Sequence, residues 1–193
     1  MKLENIPEKD LRKYSKLECV GFRSSWESVC GRVRWFSWEK GECSILSNMY
    51  PCHIEYEGNT FHSVEQMFQF YMYTQTPEAQ NLIMQATDGK AVKEVSKKYK
   101  EDNISLKDTF KLLLICLEQK YQSCPAFRAK LKETGDLPIV EVTTWWDVLY
   151  GTIDGEKLKN GHFNGEFVGD CFLGMNATGR CIMQVRENHK KSG

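Results

Sequence analysis

Two acidic residues with polar or aromatic neighbours are the best candidates for chemistry in this sequence. Glu65 and Gln69 are four residues apart in a segment of helical periodicity, so their side chains are expected on one helix face. Asp147 lies between Trp146 and Tyr150. A carboxylate with an amide can hold a sugar, and a carboxylate beside aromatic rings suits a flat base attached to a sugar.

The residues before Glu65 place this carboxylate in the first turn of a helix. A short hairpin is predicted over residues 53–61, and Ser63 and Gln66 then have the spacing of a capping box. The helix dipole favours an ionised carboxylate in the first turn. Acidic residues are common there for that reason alone, so the helix by itself does not establish a site. The apolar stripe that would pack this helix consists of Val64, Met67, Phe68 and Tyr71.

Asp147 has two interpretations of equal weight. It follows a predicted apolar strand at residues 138–142, and an aspartate at a strand-to-helix junction is commonly a helix cap. Alternatively, its carboxylate lies beside an aromatic stacking platform. The residues alone leave both interpretations open.

The composition predicts one globular domain with a sizeable core, because 41% of the 193 residues are hydrophobic. The 26 basic and 26 acidic residues balance, which argues against nucleic-acid binding by bulk electrostatics. The sequence has no long apolar run, and residues 1–5 lack the apolar core of a signal peptide, so we expect a cytoplasmic, intracellular protein. Phosphate recognition would be local, for example at Lys90, Lys93, Lys97, Lys98 and Lys100.

The eight cysteines are scattered and form no C-x-x-C pair. We interpret them as reduced thiols, some of them core residues, such as Cys116 in a leucine-rich run. The four histidines do not fall at zinc-ligand spacings with the cysteines, so no metal is expected.

The predicted elements indicate an α+β fold, with one helix-dominated domain and a small β-sheet. Capping residues, prolines at helix starts and hydrophobic periodicity mark most boundaries. The predictions are a strand at 32–36, a loop at 46–51, helices at 77–86, 90–99 and 105–121, a further helix between Pro125 and Gly135, a strand at 138–142, a glycine-rich stretch at 151–174 and a last helix at 176–187.

The order of several segments resembles the NADAR superfamily, whose name stands for NAD and ADP-ribose. The last of these segments is the most specific. The resemblance implies an N-terminal extension at 1–33, a NADAR-like catalytic domain at 34–188 and a tail at 189–193. The matching segments are Phe36, Leu46-Ser47-Asn48, Ser63 to Gln69, Val140-Glu141, Trp146 to Gly151 and Gly174 to Arg186.

Members of this superfamily include N-glycosidases, which act on riboflavin-pathway intermediates or on ADP-ribose attached to guanine bases. The resemblance implies that Glu65 stabilises an oxocarbenium-like transition state or aligns water, and that Asp147 binds ribose hydroxyls or moves a proton. No cofactor is implied. The implied substrate-binding residues are Phe36, Ser47, Asn48, Gln69, Lys93, Lys97, Trp146, Tyr150, Gly151 and Asn176.

The last helix offers a further expectation. Backbone amides at its start could receive a phosphate of the substrate. Asn176, implied to bind substrate, could equally be an ordinary helix N-cap.

One position departs from the family pattern. Many riboflavin-pathway members carry a lysine seven residues after the glutamate, where this chain has Met72. A lysine there could act as a nucleophile or hold a phosphate, and methionine can do neither. Either another lysine substitutes, with Lys93, Lys97 and Lys120 as candidates, or carboxylates direct hydrolysis, or the methionine was introduced and disables the enzyme.

The substrate expected from these departures is ADP-ribose on guanine, in a nucleotide or nucleic acid, with ADP-ribose as the product. A tryptophan of bacterial members is missing near Ser105, which favours this branch of the superfamily. The alternatives are an aminopyrimidine ribose phosphate of the riboflavin pathway and a binding module that recognises ADP-ribose or NAD without turnover.

Overall fold

The computed structural model describes residues 2–23, 43–99, 105–143 and 145–190 and has an α+β fold in which helices dominate. The helices of this part of the chain are α1 (Val64–Met72), α2 (Pro77–Gln85), α3 (Gly89–Ser96), α4 (Leu106–Ser123), α5 (Pro125–Glu133) and α6 (Ala177–Lys190). Its strands are β1 (Arg12–Ser15), β2 (Val20–Phe22), β3 (Ile54–Tyr56), β4 (Asn59–Phe61), β5 (Ile139–Glu141), β6 (Ile153–Asp154), β7 (His162–Phe163), β8 (Glu166–Phe167) and β9 (Cys171–Gly174).

The strands form small separate sheets. β9 lies between β1 and β6 in an antiparallel sheet, and β2 pairs in parallel with β5, with Phe22 opposite Glu141. The described N-terminal residues therefore contribute β1 to the first of these sheets and β2 to the second. β3–β4 and β7–β8 are hairpins. The predicted strand at 32–36 lies outside the described residues, and the domain boundaries at 33/34 and 188/189 stay predictions.

The start of α1 confirms the predicted cap and adds a contact. The Ser63 hydroxyl accepts a hydrogen bond from the Gln66 amide at 3.1 Å. The Gln66 side chain reaches back to the amide of His62 at 2.8 Å, one residue before the usual capping-box partner. Its amide group also donates to the Ile83 carbonyl at 2.9 Å, which ties the start of α1 to α2.

The main core lies between α1 and α4. α4 packs against α1, α5 and α6, and α3 packs against α1 and α2. Cys116 on α4 is fully buried in this core, as predicted. A smaller cluster around Val148 and Leu173 fills the space beneath β9. These contacts fix the start of α1, the end of β5 and the start of α6 relative to one another.

The predicted helices are confirmed, with shifted ends. α3 ends at Ser96, three residues before its predicted end, and α6 extends to Lys190. No α-helix follows Asp147, because residues 148–150 form a turn. The described cysteines are free thiols, and within the described ranges no group of histidine, cysteine and acidic residues could hold a metal ion. No helix of this part of the chain is long and apolar enough to cross a membrane.

Candidate functional site

A cavity of about 150 Å³ lies between the start of α1, α3, α4, the end of β5, the 148–150 turn and the start of α6. Polar groups from several of these elements converge on it. Its lining residues are Asn48, Met49, Glu65, Phe68, Gln69, Lys93, Leu113, Glu141, Asp147, Tyr150 and Thr178.

Glu65 is held in the cavity wall by its position in the first turn of α1. Its backbone amide donates to the carbonyl of Asn48 at 2.8 Å, and its Oε1 accepts a hydrogen bond from Gln69 Nε2 at 3.1 Å. The side chain is only 6% exposed. The predicted pairing of Glu65 and Gln69 on one helix face is therefore confirmed, and the helix N-terminus supplies favourable potential for a carboxylate.

A buried lysine, Lys120, holds the segment that carries Asn48 in place. Nζ of Lys120 donates to the carbonyls of Ile45 at 2.6 Å and Ser47 at 2.8 Å and lies 4.7 Å from the ring centroid of Phe127. Burial lowers the pKa of Lys120 to about 8. Ser47 does not line the cavity, since its fully buried hydroxyl accepts a hydrogen bond from the Met49 amide at 3.1 Å.

Asp147 caps a turn instead of a helix. Its Oδ1 accepts hydrogen bonds from the amides of Leu149 at 3.2 Å and Tyr150 at 3.1 Å. Tyr150 packs edge-on against Phe68, with ring centroids 6.0 Å apart. The turn presents Asp147 and Tyr150 to the cavity, whereas Trp146 is half exposed and lies outside its lining.

Glu141 is a lining residue to which the sequence had assigned no role. It ends β5 and is 6% exposed. Burial raises its pKa to about 7, the charges of Asp147 and Glu65 act in the same direction, and Thr178 and Lys93 oppose them. The signals in the sequence were a carboxylate inside the otherwise apolar run of residues 138–142 and the resemblance of the Val140-Glu141 segment to the superfamily.

Three buried oxygen atoms of the cavity make no hydrogen bond within the described part of the chain. They are Asn48 Oδ1, Gln69 Oε1 and Glu141 Oε2. Buried polar atoms are normally paired, and an unpaired one costs about 1–3 kcal/mol. Acceptors grouped in this way suit a ligand that brings several donors, such as sugar hydroxyls.

The three candidate lysines have different surroundings. Lys93 lines the cavity, and its ammonium lies 5.9 Å from the ring centroid of Trp145. Lys97 is exposed and pairs with Glu94 at 2.8 Å. Lys120 is bonded to the two carbonyls described above and does not line the cavity. Of these three, Lys93 alone can reach a ligand in the cavity.

Met72 belongs to the hydrophobic core and does not line the cavity. Only 3% of it is exposed, and it packs in the main core, away from the cavity that Glu65 and Gln69 share. Phe36 lies outside the described residues.

Gly151 allows close packing, because a Cβ there would lie 2.6 Å from Thr143 Cγ2 and 2.9 Å from the Glu141 carbonyl.

Asn176 connects β5 to α6 instead of lining the cavity. It is fully buried, its Nδ2 donates to the Ile139 carbonyl at 2.9 Å, and its Oδ1 accepts from the Glu141 amide at 3.0 Å. The prediction that the first backbone amides of α6 bind a phosphate is wrong. The amides of residues 176, 177 and 178 already donate to carbonyls of residues 151, 149 and 150, at 2.9–3.1 Å.

Comparisons with known proteins agree with this fold. An NMR structure of the E. coli protein YbiA superposes with a TM-score of 0.64 at 16% sequence identity, covering 91% of this chain and 87% of that chain. No curated protein matches the chain. The model of the NADAR domain matches residues 35–189. Since this match spans most of the sequence, the chain belongs to the NADAR family and has the YbiA-like α+β fold.

Proposed function

We propose that this protein is an N-glycosidase, a hydrolase that removes ADP-ribose from ADP-ribosylated guanine in a nucleotide or nucleic acid. The observation that carries the proposal is the convergence of Glu65 and Asp147 with unpaired acceptor atoms on one cavity. Membership in a family generally associated with N-glycosidase activity supports it.

The cavity suits the ribose ring and the bond to be cleaved. Its volume of about 150 Å³ is below the roughly 300 Å³ of pockets that enclose whole drug-sized ligands, so the rest of ADP-ribose would extend outside. Ribose hydroxyls would donate to Asn48 Oδ1 and Gln69 Oε1, and Tyr150 would contact the base. Lys93 would offer its charge to the diphosphate.

Cleavage develops positive charge on the ribose, and a carboxylate beside the ring stabilises that charge. Glu65 is placed for this role, because Gln69 donates a hydrogen bond to its Oε1 and orients it in the cavity wall. Asp147 would accept a proton from the attacking water. The water oxygen joins the anomeric carbon, and the base leaves with the bonding electron pair and a proton.

Met72 gives a second candidate, a binding module that holds ADP-ribose without turnover. The family's lysine position is occupied by a buried methionine in the core, so no amine is available there. In that case the acceptors of the cavity would bind ribose, but the glycosidic bond would stay intact.

A chromatographic assay of free ADP-ribose tests the proposal. The chain and its Met72→Lys, Glu65→Gln and Glu55→Gln variants are incubated with ADP-ribosylated guanosine, and thermal unfolding shows which variants fold. We expect release by the chain, retained in Glu55→Gln because Glu55 is exposed on β3, and at least a hundredfold loss in Glu65→Gln.

Other outcomes assign the function differently. Release only by Met72→Lys would show that an amine is required. Tight ADP-ribose binding without release by the chain or by Met72→Lys would establish the binding module. Cleavage of the aminopyrimidine ribose phosphate alone would move the protein to the riboflavin branch.

A further inference from the structure

We propose that Glu141 is the general acid that protonates the guanine nitrogen while the glycosidic bond breaks. This inference rests on the proposed function, and it adds to that function the source of the proton that the leaving base needs. Amide-like nitrogens of a base are poor leaving groups as anions, so proton transfer to them lowers the barrier.

Glu141 reaches the cavity from a different element than the other two carboxylates, as a separate proton donor would. It reaches the cavity from the end of β5, whereas Glu65 reaches it from α1 and Asp147 from a turn. Its backbone is fixed, since its amide donates to Asn176 Oδ1 at 3.0 Å. By distance and angle its buried Oε2 makes no hydrogen bond among the described residues, and the nearby Thr178 hydroxyl lowers the pKa of the carboxyl group.

The surroundings of Glu141 favour its protonated form near neutral pH. Asp147 from the turn and Glu65 from α1 are negative neighbours, Lys93 from α3 is a positive neighbour, and Thr178 from α6 contributes a hydroxyl. Burial is the largest effect, and the pKa rises to about 7. Carboxyl groups of one site that lie in different surroundings commonly take acid and base roles.

The step balances without a further reactant. The bond between the anomeric carbon and the guanine nitrogen breaks, its electron pair goes to the nitrogen, and the Glu141 proton neutralises that nitrogen. Water adds to the oxocarbenium carbon and loses a proton to Asp147. Return of this proton to Glu141 restores the enzyme, with water consumed and ADP-ribose and the unmodified guanosine, nucleotide or nucleic acid released.

Two substrates with the same ADP-ribose part test the assignment. One is ADP-ribosylated guanosine, and the other is a 4-nitrophenyl glycoside of ADP-ribose, whose leaving group departs as a stable anion and needs no proton. For Glu141→Gln we expect kcat to fall about 10²–10⁴-fold on the guanosine substrate and less than about tenfold on the nitrophenyl substrate. The kcat/KM of the unaltered chain on ADP-ribosylated guanosine should decline above about pH 7, and the variant should lack this decline.

The outcomes separate the two proposals. Equal losses on both substrates, with ADP-ribose binding retained in calorimetry, would show that Glu141 is not the acid while the glycosidase function stands. Loss of ADP-ribose binding in Glu141→Gln would make it a binding residue and would also overturn the assignment. No release of ADP-ribose from ADP-ribosylated guanosine by the unaltered chain would overturn the proposed function, and the Glu141 role with it.

Discussion

The carboxyl groups of the cavity differ in what surrounds each one. Glu65 receives a hydrogen bond from Gln69 at a helix start, Asp147 accepts two backbone amides, and Glu141 has an oxygen without a partner among the described residues. Different surroundings allow one residue type to serve as charge stabiliser, as base and as acid. The identities of the side chains are therefore less informative than their hydrogen bonds.

Lys93 should contribute to substrate binding. In Lys93→Met we expect KM to rise about 10–100-fold with kcat nearly unchanged, because one charged hydrogen bond to a phosphate contributes about 1.5–3 kcal/mol. Steady-state kinetics on ADP-ribosylated guanosine measure both constants.

Lys97→Met is the matched control for this change. It removes a lysine from the end of the same helix, but Lys97 is exposed and pairs with Glu94, so the kinetics should not change. A large fall in kcat in Lys93→Met, together with borohydride trapping of substrate on the unaltered chain but not on this variant, would instead make Lys93 a covalent nucleophile.

At the scale of the elements, local sequence signals located the part of the site that α1 carries. The cap at Ser63 and the helical spacing after it are short-range features, so the placement of Glu65 and Gln69 could be predicted. Glu141 reaches the cavity because β5 pairs with β2 and is bonded to Asn176, contacts between residues distant in the sequence. Spacing along the chain carries no information about such contacts.

For the lysines, too, local sequence signals did not reveal the contacts between distant residues. The pattern of basic residues did not distinguish Lys93, which lines the cavity, from Lys97, which is exposed. The burial of Lys120 follows from the packing of α4 under the Ser44–Leu46 segment, which no local signal indicated.

Lys120 should hold the Asn48 segment in place. Lys120→Met leaves the carbonyls of Ile45 and Ser47 without their donor, so we expect the free energy of unfolding to fall by about 1–3 kcal/mol. Because Asn48 also accepts the Glu65 amide, kcat/KM should fall as well. Urea denaturation and kinetics at one pH measure both effects.

Lys107→Met provides the comparison on the same helix, because Lys107 is exposed. Its free energy of unfolding should stay within about 0.5 kcal/mol of the unaltered chain. Equal stability of the Lys107 and Lys120 variants would mean that the buried ammonium contributes nothing to the fold.

For the whole molecule, the cavity should reduce stability at neutral pH. Buried unpaired acceptors and a buried carboxyl group oppose folding, and the helical core around α1 and α4 must offset them. Sites that bind or react commonly carry this cost. The pH dependence of stability measures it directly for one group.

Glu141 should make the folded state less stable as the pH rises. Its pKa is about 7 in the folded protein against an ordinary value of 4.5, so between these pH values the folded state binds more protons than the unfolded state. The free energy of unfolding then decreases with pH and levels off above about 7. At about 1.4 kcal/mol for each pH unit, the free energy of unfolding falls by about 3 kcal/mol in total.

Glu141→Gln removes this dependence, because glutamine does not titrate. The free energy of unfolding of the variant, relative to that of the unaltered chain, should rise by about 3 kcal/mol from pH 4 to pH 8. Urea denaturation at both pH values measures this rise. Glu55→Gln alters an exposed glutamate, so its free energy of unfolding relative to that of the unaltered chain should change by less than about 0.5 kcal/mol between the two pH values. A Glu141→Gln variant that follows the pH profile of the unaltered chain would mean that Glu141 is ionised in the folded protein at neutral pH and holds no proton for the leaving base.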